Sequence, residues 1–428
     1  MNRLRSFIAN IPGLSSAYHY ALALLGALLY RFPSKKMTII GVTGTKGKTT
    51  TSNLIAQILE SAEHKTGLAT TVLFRIGDKE WPNGSKQTML GRFGLQKLLR
   101  QMADAGCEYA VIETSSEGIL QHRHRFIDYK IAVFTNLSPE HIERHGSFEN
   151  YRETKVGLFE EVAKRTDGIG IYNLDDNSVS VFLEPGIRTK FGFAAKVTLP
   201  VPDMPPENQM RISDIELSEN GSRFKMASVG FETPLLGEFN IYNAAAAACA
   251  ALALKIPVEA IKKTLADPRP TPGRFEVLES KKGFKVIIDY AHEPASLEAA
   301  YEAVKLFKPK RVIGILGAQG GGRDKWKREA MGKIAAAHCD KLMLTNEDPY
   351  EEDPENIVKD IEKGTSGGRA VVVKILNRKD AIKEAISEAQ RGDAVVLTGK
   401  GGEVWMCVKD GKKVPWNEKK LAEEALKK

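Results

Sequence analysis

The run GVTGTKGKTTT, from Gly41 to Thr51, carries the residue types that a backbone needs to grip a phosphate. Glycines at 41, 44 and 47 permit a tight turn whose N–H groups converge on phosphate oxygens. Lys48 adds a point charge, and Thr49 offers a hydroxyl to Mg²⁺. The strict form of this pattern has glycine five places before Gly47, and Val42 stands there instead. Gly44, Thr45, Lys46, Gly47, Lys48, Thr49 and Thr50 are the candidate phosphate contacts.

Such a loop needs a strand before it and a helix after it, and the surrounding pattern supplies both. From Met37 onward short β-rich runs (TIIGV, TGLATTV, YAVIE, IAVFTN) alternate with helical stretches from Lys48 and around Gly94 to Ala105. That rhythm predicts a mostly parallel α/β sheet. Between Thr198 and Leu236 the texture changes to alternating strands with a turn at Glu219 to Ser222, a hairpin insert, before an alanine-rich helix over Asn243 to Leu254. The segment DPRPTPGR, Asp267 to Arg274, cannot continue a helix and is the expected linker. Beyond it KVIIDY, RVIGILG, KLMLTN, AVVVKIL and AVVLTG restart the strand-helix rhythm as a second α/β domain. The expected boundaries are 1–36, 37–270 and 271–428.

At 428 residues the chain exceeds what one core usually organises. The net charge of +8 points to a polyanionic partner, although 62 basic residues are interleaved with 54 acidic ones. No long basic run or aromatic-basic stacking motif occurs, which argues against nucleic acid as that partner. Cys107, Cys249, Cys339 and Cys407 lie far apart, which excludes a zinc ribbon or disulfide framework and fits the reducing cytoplasm. Ala17 to Tyr30 is apolar, too short to span a bilayer comfortably, and predicts a packed helix started at Ser15 or Ser16 and closed before Pro33, with a peripheral membrane contact as the other reading.

The loop form GTKGKTTT resembles that of the Mur ligases, and further segments follow in that family's order. They are ETSSEGILQHR from Glu113, FTNLSPEHIERHG from Phe134, YRETKVGLF from Tyr151, GEFNIYNAAAA from Gly237, then PGRFE, DYAHEP, GRDKWKR and GKGGE. The resemblance runs from about Met37 to Lys428 and is nearest to the MurE branch, which adds the third peptide residue to a UDP-N-acetylmuramoyl-dipeptide. It implies a central P-loop ATPase domain with a mostly parallel sheet, a C-terminal Rossmann-like α/β domain and, ahead of both, a short helical N-terminal segment. It also implies an ATP- and Mg²⁺-dependent, ADP-forming ligase that works through an acyl phosphate in cell-wall peptide synthesis.

Roles follow from the resemblance position by position. Thr49 and Glu113 would hold one Mg²⁺ as hard oxygen ligands; His141 and Lys155, the latter as a carbamate, would hold another. Asn243 would contact adenine, Asp289 and Tyr290 the ribose, and Arg274 the γ-phosphate, where positive charge favours phosphoryl transfer. Thr88, Ser115, Gln121 and Arg123 match positions that hold the muramoyl-peptide.

Several positions depart from the family pattern. A MurE enzyme carries a UDP-binding domain before its phosphate loop, and some 36 residues precede Met37, so the acceptor is expected to be nucleotide-linked but differently held, or lipid-linked. Glu347-Asp348-Pro349-Tyr350 replaces the DNPR that reads diaminopimelate, so the carboxylate-clamping arginine is absent, and Glu347, Asp348 and Glu403 are expected to read an ammonium, as of lysine or ornithine. Glu117 replaces the histidine of SSH, and Gly402 that of GKGHE. Folylpolyglutamate and poly-γ-glutamate synthases share the loop and the acyl-phosphate chemistry and form the alternative, as does a Mur-like subunit that activates a carboxylate for ammonia from a glutaminase. The QHR and TNLSPEH details favour MurE.

Overall fold

The computed structural model describes residues 14–140, 142–197, 199–201 and 204–427. The first of its two large sheets is built on β1 (Thr38–Thr43), β5 (Tyr109–Glu113) and β6 (Tyr129–Phe134), three strands that are apolar almost end to end and buried on both faces. Around them lie β2 (Thr66–Ala69), β3 (Leu73–Ile76), β4 (Lys79–Pro82), β7 (Ile169–Asn173), β8 (Thr189–Ala194), β9 (Gln209–Ser218), β10 (Gly221–Met226) and β11 (Val229–Thr233). The order is β11-β10-β9-β8-β7-β6-β1-β5-β2-β3-β4.

Strands β9 through β2 in that order run parallel, and the outer pairs at both edges are antiparallel. The β9–β10 turn falls at the expected Glu219 to Ser222; the β3–β4 hairpin at the far edge was not expected. After β5 the chain crosses to the other side of β1 to form β6, a switch in direction that opens a crevice at the strands' carboxyl ends.

Gly41 is a strand residue and not a turn glycine. A Cβ there would lie 2.9 Å from both Leu158 and Tyr129, so its bareness lets the helix Phe148–Ala163 close onto β1. The alanine-rich helix begins at Glu238 and not at Asn243, because Gly237 at φ 86° turns the chain into it earlier than the β-branched and aromatic residues of EFNIY suggest. Its alanines, fully buried, let it pack closely on Lys48–Ser61, the helix that the phosphate loop opens.

The second sheet comprises β12 (Glu276–Glu279), β13 (Lys285–Ile288), β14 (Val312–Leu316), β15 (Lys341–Leu344), β16 (Val371–Lys374) and β17 (Ala394–Leu397) in the order β12-β13-β17-β14-β15-β16. All neighbours are parallel except β12–β13. A small hairpin, β18 (Trp405–Val408) with β19 (Lys412–Pro415), follows. The chain between the sheets is irregular over residues 267–273 and is tied to the first domain: Gln57 accepts from the Arg269 N–H at 2.7 Å, and Asn53 donates to the Thr271 hydroxyl at 2.8 Å. These bonds fix where Arg274 emerges.

The N-terminal helix runs Leu14–Leu29, close to the expected limits. No described helix is long and apolar enough to cross a membrane.

Candidate active site

The phosphate loop leaves β1 at Thr43 and enters its helix at Lys48. Gly44 and Gly47 take φ 144° and 80°, and neither place tolerates a side chain: a Cβ on Gly44 would meet Thr135 Oγ1 at 2.0 Å and one on Gly47 would meet Asn243 Oδ1 at 2.1 Å. The FTN segment at the end of β6 braces the loop. Thr135 donates to the Lys46 carbonyl at 2.7 Å, Asn136 accepts from the Lys46 N–H at 2.9 Å, and the Thr45 N–H donates to the Asn136 carbonyl at 2.8 Å.

At the loop's end Lys48 folds back, its Nζ donating to the carbonyls of Gly44 and Thr45 at 3.0 and 2.8 Å. Burial, with Lys46 and Arg274 nearby, holds its ammonium below the usual lysine range. Thr49 Oγ1 donates to Glu113 Oε2 at 3.0 Å. Glu113, buried at the end of β5, is fixed from the other side by the backbone N–H and hydroxyl of Thr71 at 2.8 and 3.0 Å. A hydroxyl and a carboxylate this close beside a phosphate loop form a hard-oxygen pair of the kind Mg²⁺ takes, and the donor set fits that ion.

Lys155, on the helix Phe148–Ala163, is buried. Its Nζ donates to the Gly44 carbonyl at 2.7 Å and lies 4.6 Å from the centre of the Tyr151 ring. Desolvation, reinforced by Lys48 and Lys46, pushes its pKa well below the lysine range. His141 lies outside the described residues.

From the C-terminal domain Arg274 crosses to the loop. Its guanidinium lies 4.4 Å from the centre of the Tyr290 ring, and Nη2 donates to Thr49 Oγ1 at 3.1 Å. Asp289 accepts from the backbone N–H groups of Phe275 and Ala291 at 2.7 and 2.8 Å and thereby fixes the turn that presents Tyr290. Asn243 donates to Asn240 Oδ1 at 3.0 Å and stands behind Gly47. A cleft of about 1030 Å³ joins these parts, and Thr50, Thr88, Ser115 and Glu403 also line it.

Among the other expected residues Ser115 lines the cleft, while Gln121, Arg123, Glu347 and Asp348 stand off it. Ser115 caps a short helix by accepting from the Gly118 N–H at 3.2 Å, while Gln121 and Arg123 beyond that helix bond each other at 2.8 Å outside the lining. Glu117 holds Arg144 through two bonds of 2.8 and 2.9 Å. Glu347 and Asp348 are fully buried and do not line the cleft. Asp348 and Glu403 are each engaged by two lysines of the chain itself, Lys86 from the first domain and Lys400 from GKGGE, with Lys400 at 2.9 and 2.6 Å.

Sequence reasoning missed Lys86, Thr71 and the bracing by Thr135 and Asn136, and it gave no role to Lys400 or Lys327 although both lie in quoted motifs. Lys327 pairs with the buried Glu293 beside His292, in a group that also includes Glu140. Burial pushes His292 down to about 3 and, with Glu140, pushes Glu293 up to about 7.

A cleft that concentrates lysine and arginine where a triphosphate's charge would lie, and that is complete only when a second domain lends an arginine, defines an ATP-dependent enzyme with a divided site. Residues 42–251 match the Mur ligase middle domain, and residues 273–401 match the glutamate ligase domain of Mur ligases. The chain belongs to the Mur ligase family, ATP-dependent ligases that release ADP, and sides with its MurE-type members.

The UDP-N-acetylmuramoyl-L-alanyl-D-glutamate–2,6-diaminopimelate ligase of Geobacillus thermodenitrificans is 35% identical over 417 residues, 95% of this chain and 82% of that relative. The UDP-N-acetylmuramyl-tripeptide synthetase of Roseiflexus sp. is 36% identical over 426 residues, with the same shares covered. A solved diaminopimelate ligase of the same name as the first has TM-score 0.62 at 30% identity, covering 95% of this chain and 82% of that one. The folylpolyglutamate synthase of Mycobacterium tuberculosis shares the fold, with TM-score 0.71 at 18% identity over 93% of this chain and 95% of that one.

Lys48→Ala should leave the circular dichroism spectrum and thermal midpoint near those of the parent while ATP-dependent ligation falls about 100-fold or more, since a charge-assisted contact to the transferring phosphoryl is lost. Unchanged turnover would remove Lys48 from the phosphate site.

Proposed function

We propose that the chain activates the terminal carboxylate of a UDP-N-acetylmuramoyl-dipeptide with ATP and joins an amino acid to it as the third peptide residue, in the cytoplasm. The observation that carries this reading is the meeting of Thr49, Glu113 and Arg274 at one point of the cleft, with Thr49 Oγ1 within 3.0 and 3.1 Å of the other two. In the reaction a carboxylate oxygen attacks the γ-phosphorus, the β–γ bridging oxygen leaves with ADP, and an acyl phosphate forms. The amine then attacks the acyl carbon, phosphate leaves, and the nitrogen loses its proton.

Thr49 and Glu113 would hold one Mg²⁺, which neutralises charge shared by the carboxylate and phosphoryl oxygens. Lys48 and Arg274 orient the phosphates and bear the developing charge, Asn243 would meet the adenine, and Asp289 and Tyr290 the ribose. Thr88 and Ser115 line the acceptor side, with Gln121 and Arg123 further out. With an acceptor carboxylate labelled with ¹⁸O, one label should appear in the released phosphate, and ADP should be the nucleotide product. Pyrophosphate release, or unlabelled phosphate, would replace the acyl phosphate with an adenylate.

Lys155 would serve as a carbamate, joined by His141, at a second Mg²⁺. Burial in the cleft among cations pushes the Lys155 amine toward its neutral form, and a neutral amine can take up CO₂ to become an anionic oxygen ligand. Lys155→Ala should lose most activity, and formate or acetate should restore part of it. An alanine variant with wild-type turnover would end the carbamate reading.

The incoming residue would be read at the rim formed by Glu403, Tyr290, Tyr350 and Lys86, where Glu403 alone of the three expected acids reaches the lining. Tyr350 cannot clamp a second carboxylate bidentately, so lysine should outcompete diaminopimelate in a mixed assay. Preference for diaminopimelate would instead make Arg323, beside Tyr350, the anion-reading group. A lipid-linked peptide acceptor is the second reading, favoured by the apolar helix at the acceptor side of the molecule.

A further inference from the structure

The helix Leu14–Leu29 is packed inside out. In its C-terminal half the small residues face the protein: Ala23 and Ala27 are buried, and Gly26 lies so close to the helix Arg92–Asp104 that a Cβ would be 3.4 Å from the Arg92 carbonyl oxygen, whereas Ala17 and Ala21 nearer the start are exposed. Leu25, Leu28 and Leu29 face outward, exposed to 54, 53 and 64%, as does Tyr20 at 45%, while Leu22 and Leu24 are half-buried. A helix on an ordinary water-facing surface shows the opposite arrangement, with polar residues outside. No charged residue lies within this helix. Phe93 on the neighbouring helix and Leu120 nearby are also exposed and apolar.

The charge that follows this helix in sequence is positive, with Glu117 near His19 and Asp104 near Lys36 as the acids close to it. The sequence contains no Asp or Glu before Glu60, whereas Arg31, Lys35 and Lys36 follow the helix directly and are exposed. Arg31 and Phe32 both adopt left-handed φ, 57° and 46°, an arrangement that ends the helix abruptly and keeps Arg31 beside its last apolar turn. Asp104 is the acid that Lys36 feels, and Arg100 already holds it.

We propose that this helix seats the protein on an anionic bilayer surface, its leucines entering the headgroup boundary and Arg31, Lys35 and Lys36 pairing with lipid phosphates. Exposed cations beside an apolar face complement acidic lipid, which separates this occupant from a second copy of the same basic chain. The helix is also tied to the expected acceptor segment, since Ser16 Oγ and His122 Nε2 lie 2.7 Å apart and His19 contacts Arg92 of the neighbouring helix, which donates to the Gln121 carbonyl at 3.1 Å. Docking would bring the acceptor side to the membrane. This assignment stands without the ligase reading, because its test does not use catalysis.

The full-length protein should sediment with vesicles of phosphatidylcholine and phosphatidylglycerol, and far less with phosphatidylcholine alone. Replacing Arg31, Lys35 and Lys36 by glutamate should weaken partitioning about 100-fold or more, at roughly five-fold per cation removed. The Leu25→Asp/Leu28→Asp variant should abolish it, with an unchanged thermal midpoint showing that the exposed sites do not carry the fold. Wild-type protein that stays in the supernatant with both vesicles would overturn the proposal. So would light scattering that shows a dimer which the Leu25→Asp/Leu28→Asp variant breaks.

Discussion

The hydrogen bond from Arg274 to Thr49 is the point on which the site depends, because it is where the two domains first become one structure chemically. Thr49 belongs to the loop after β1, Glu113 to the end of β5, and Arg274 to the start of the C-terminal domain. One hydroxyl touches both of the others within 3.0 and 3.1 Å. The connector that delivers Arg274 is itself bonded to Gln57 and Asn53 on the helix that the loop opens. Gly273 allows the approach, since a Cβ there would stand 1.8 Å from the Gly402 nitrogen. The glycine in the place of the family's GKGHE histidine therefore lies against the backbone next to Arg274, and its bareness is a packing requirement of the closed cleft.

A second set of contacts holds the same closure from the rim. Lys86 leaves the first domain to neutralise Asp348 and Glu403 in the second, and Trp405 Nε1 donates to the Gly84 carbonyl at 2.9 Å. Removing one member of a buried charge set leaves the others uncompensated, at a cost of about 3–5 kcal/mol. Lys86, Lys400, Asp348 and Glu403 are thus held together by mutual need, and any cation entering beside Glu403 must share its carboxylate with two lysines.

The sequence shows most plainly what is local. The phosphate loop was legible because its chemistry is contained in consecutive residues, and Val42 in place of a glycine cost nothing: it is a buried strand residue paired with Glu113, and the turn begins only after Thr43. The central strands of both sheets were legible from apolar runs, whereas β3, β4, β7, β8 and β12 carried no run that marked them. Lys86, Thr71 and the bracing by Thr135 were not, because each acts on a partner distant in sequence, and even the quoted FTN segment does not say which loop atom Thr135 meets. Glu347 shows the reverse error. An acid in a suggestive motif reads as a ligand group, yet the fold buries it against Gly399, whose Cβ would lie 2.4 Å from its carboxylate, and burial raises its pKa toward the neutral form.

Charge in the cleft follows from the same packing. Lys48 and Lys155 point at the same carbonyl, that of Gly44, and burial drives both pKa values down. Two lysines sharing one acceptor in a poorly solvated site crowd like charge together, which an anion between them would relieve. A triphosphate would relieve that crowding by drawing Lys48 off the carbonyl and placing anionic oxygens near Lys155. The loop is accordingly built with more positive charge than its own carboxylates balance, and that excess is the electrostatic counterpart of the nucleotide it is shaped to receive.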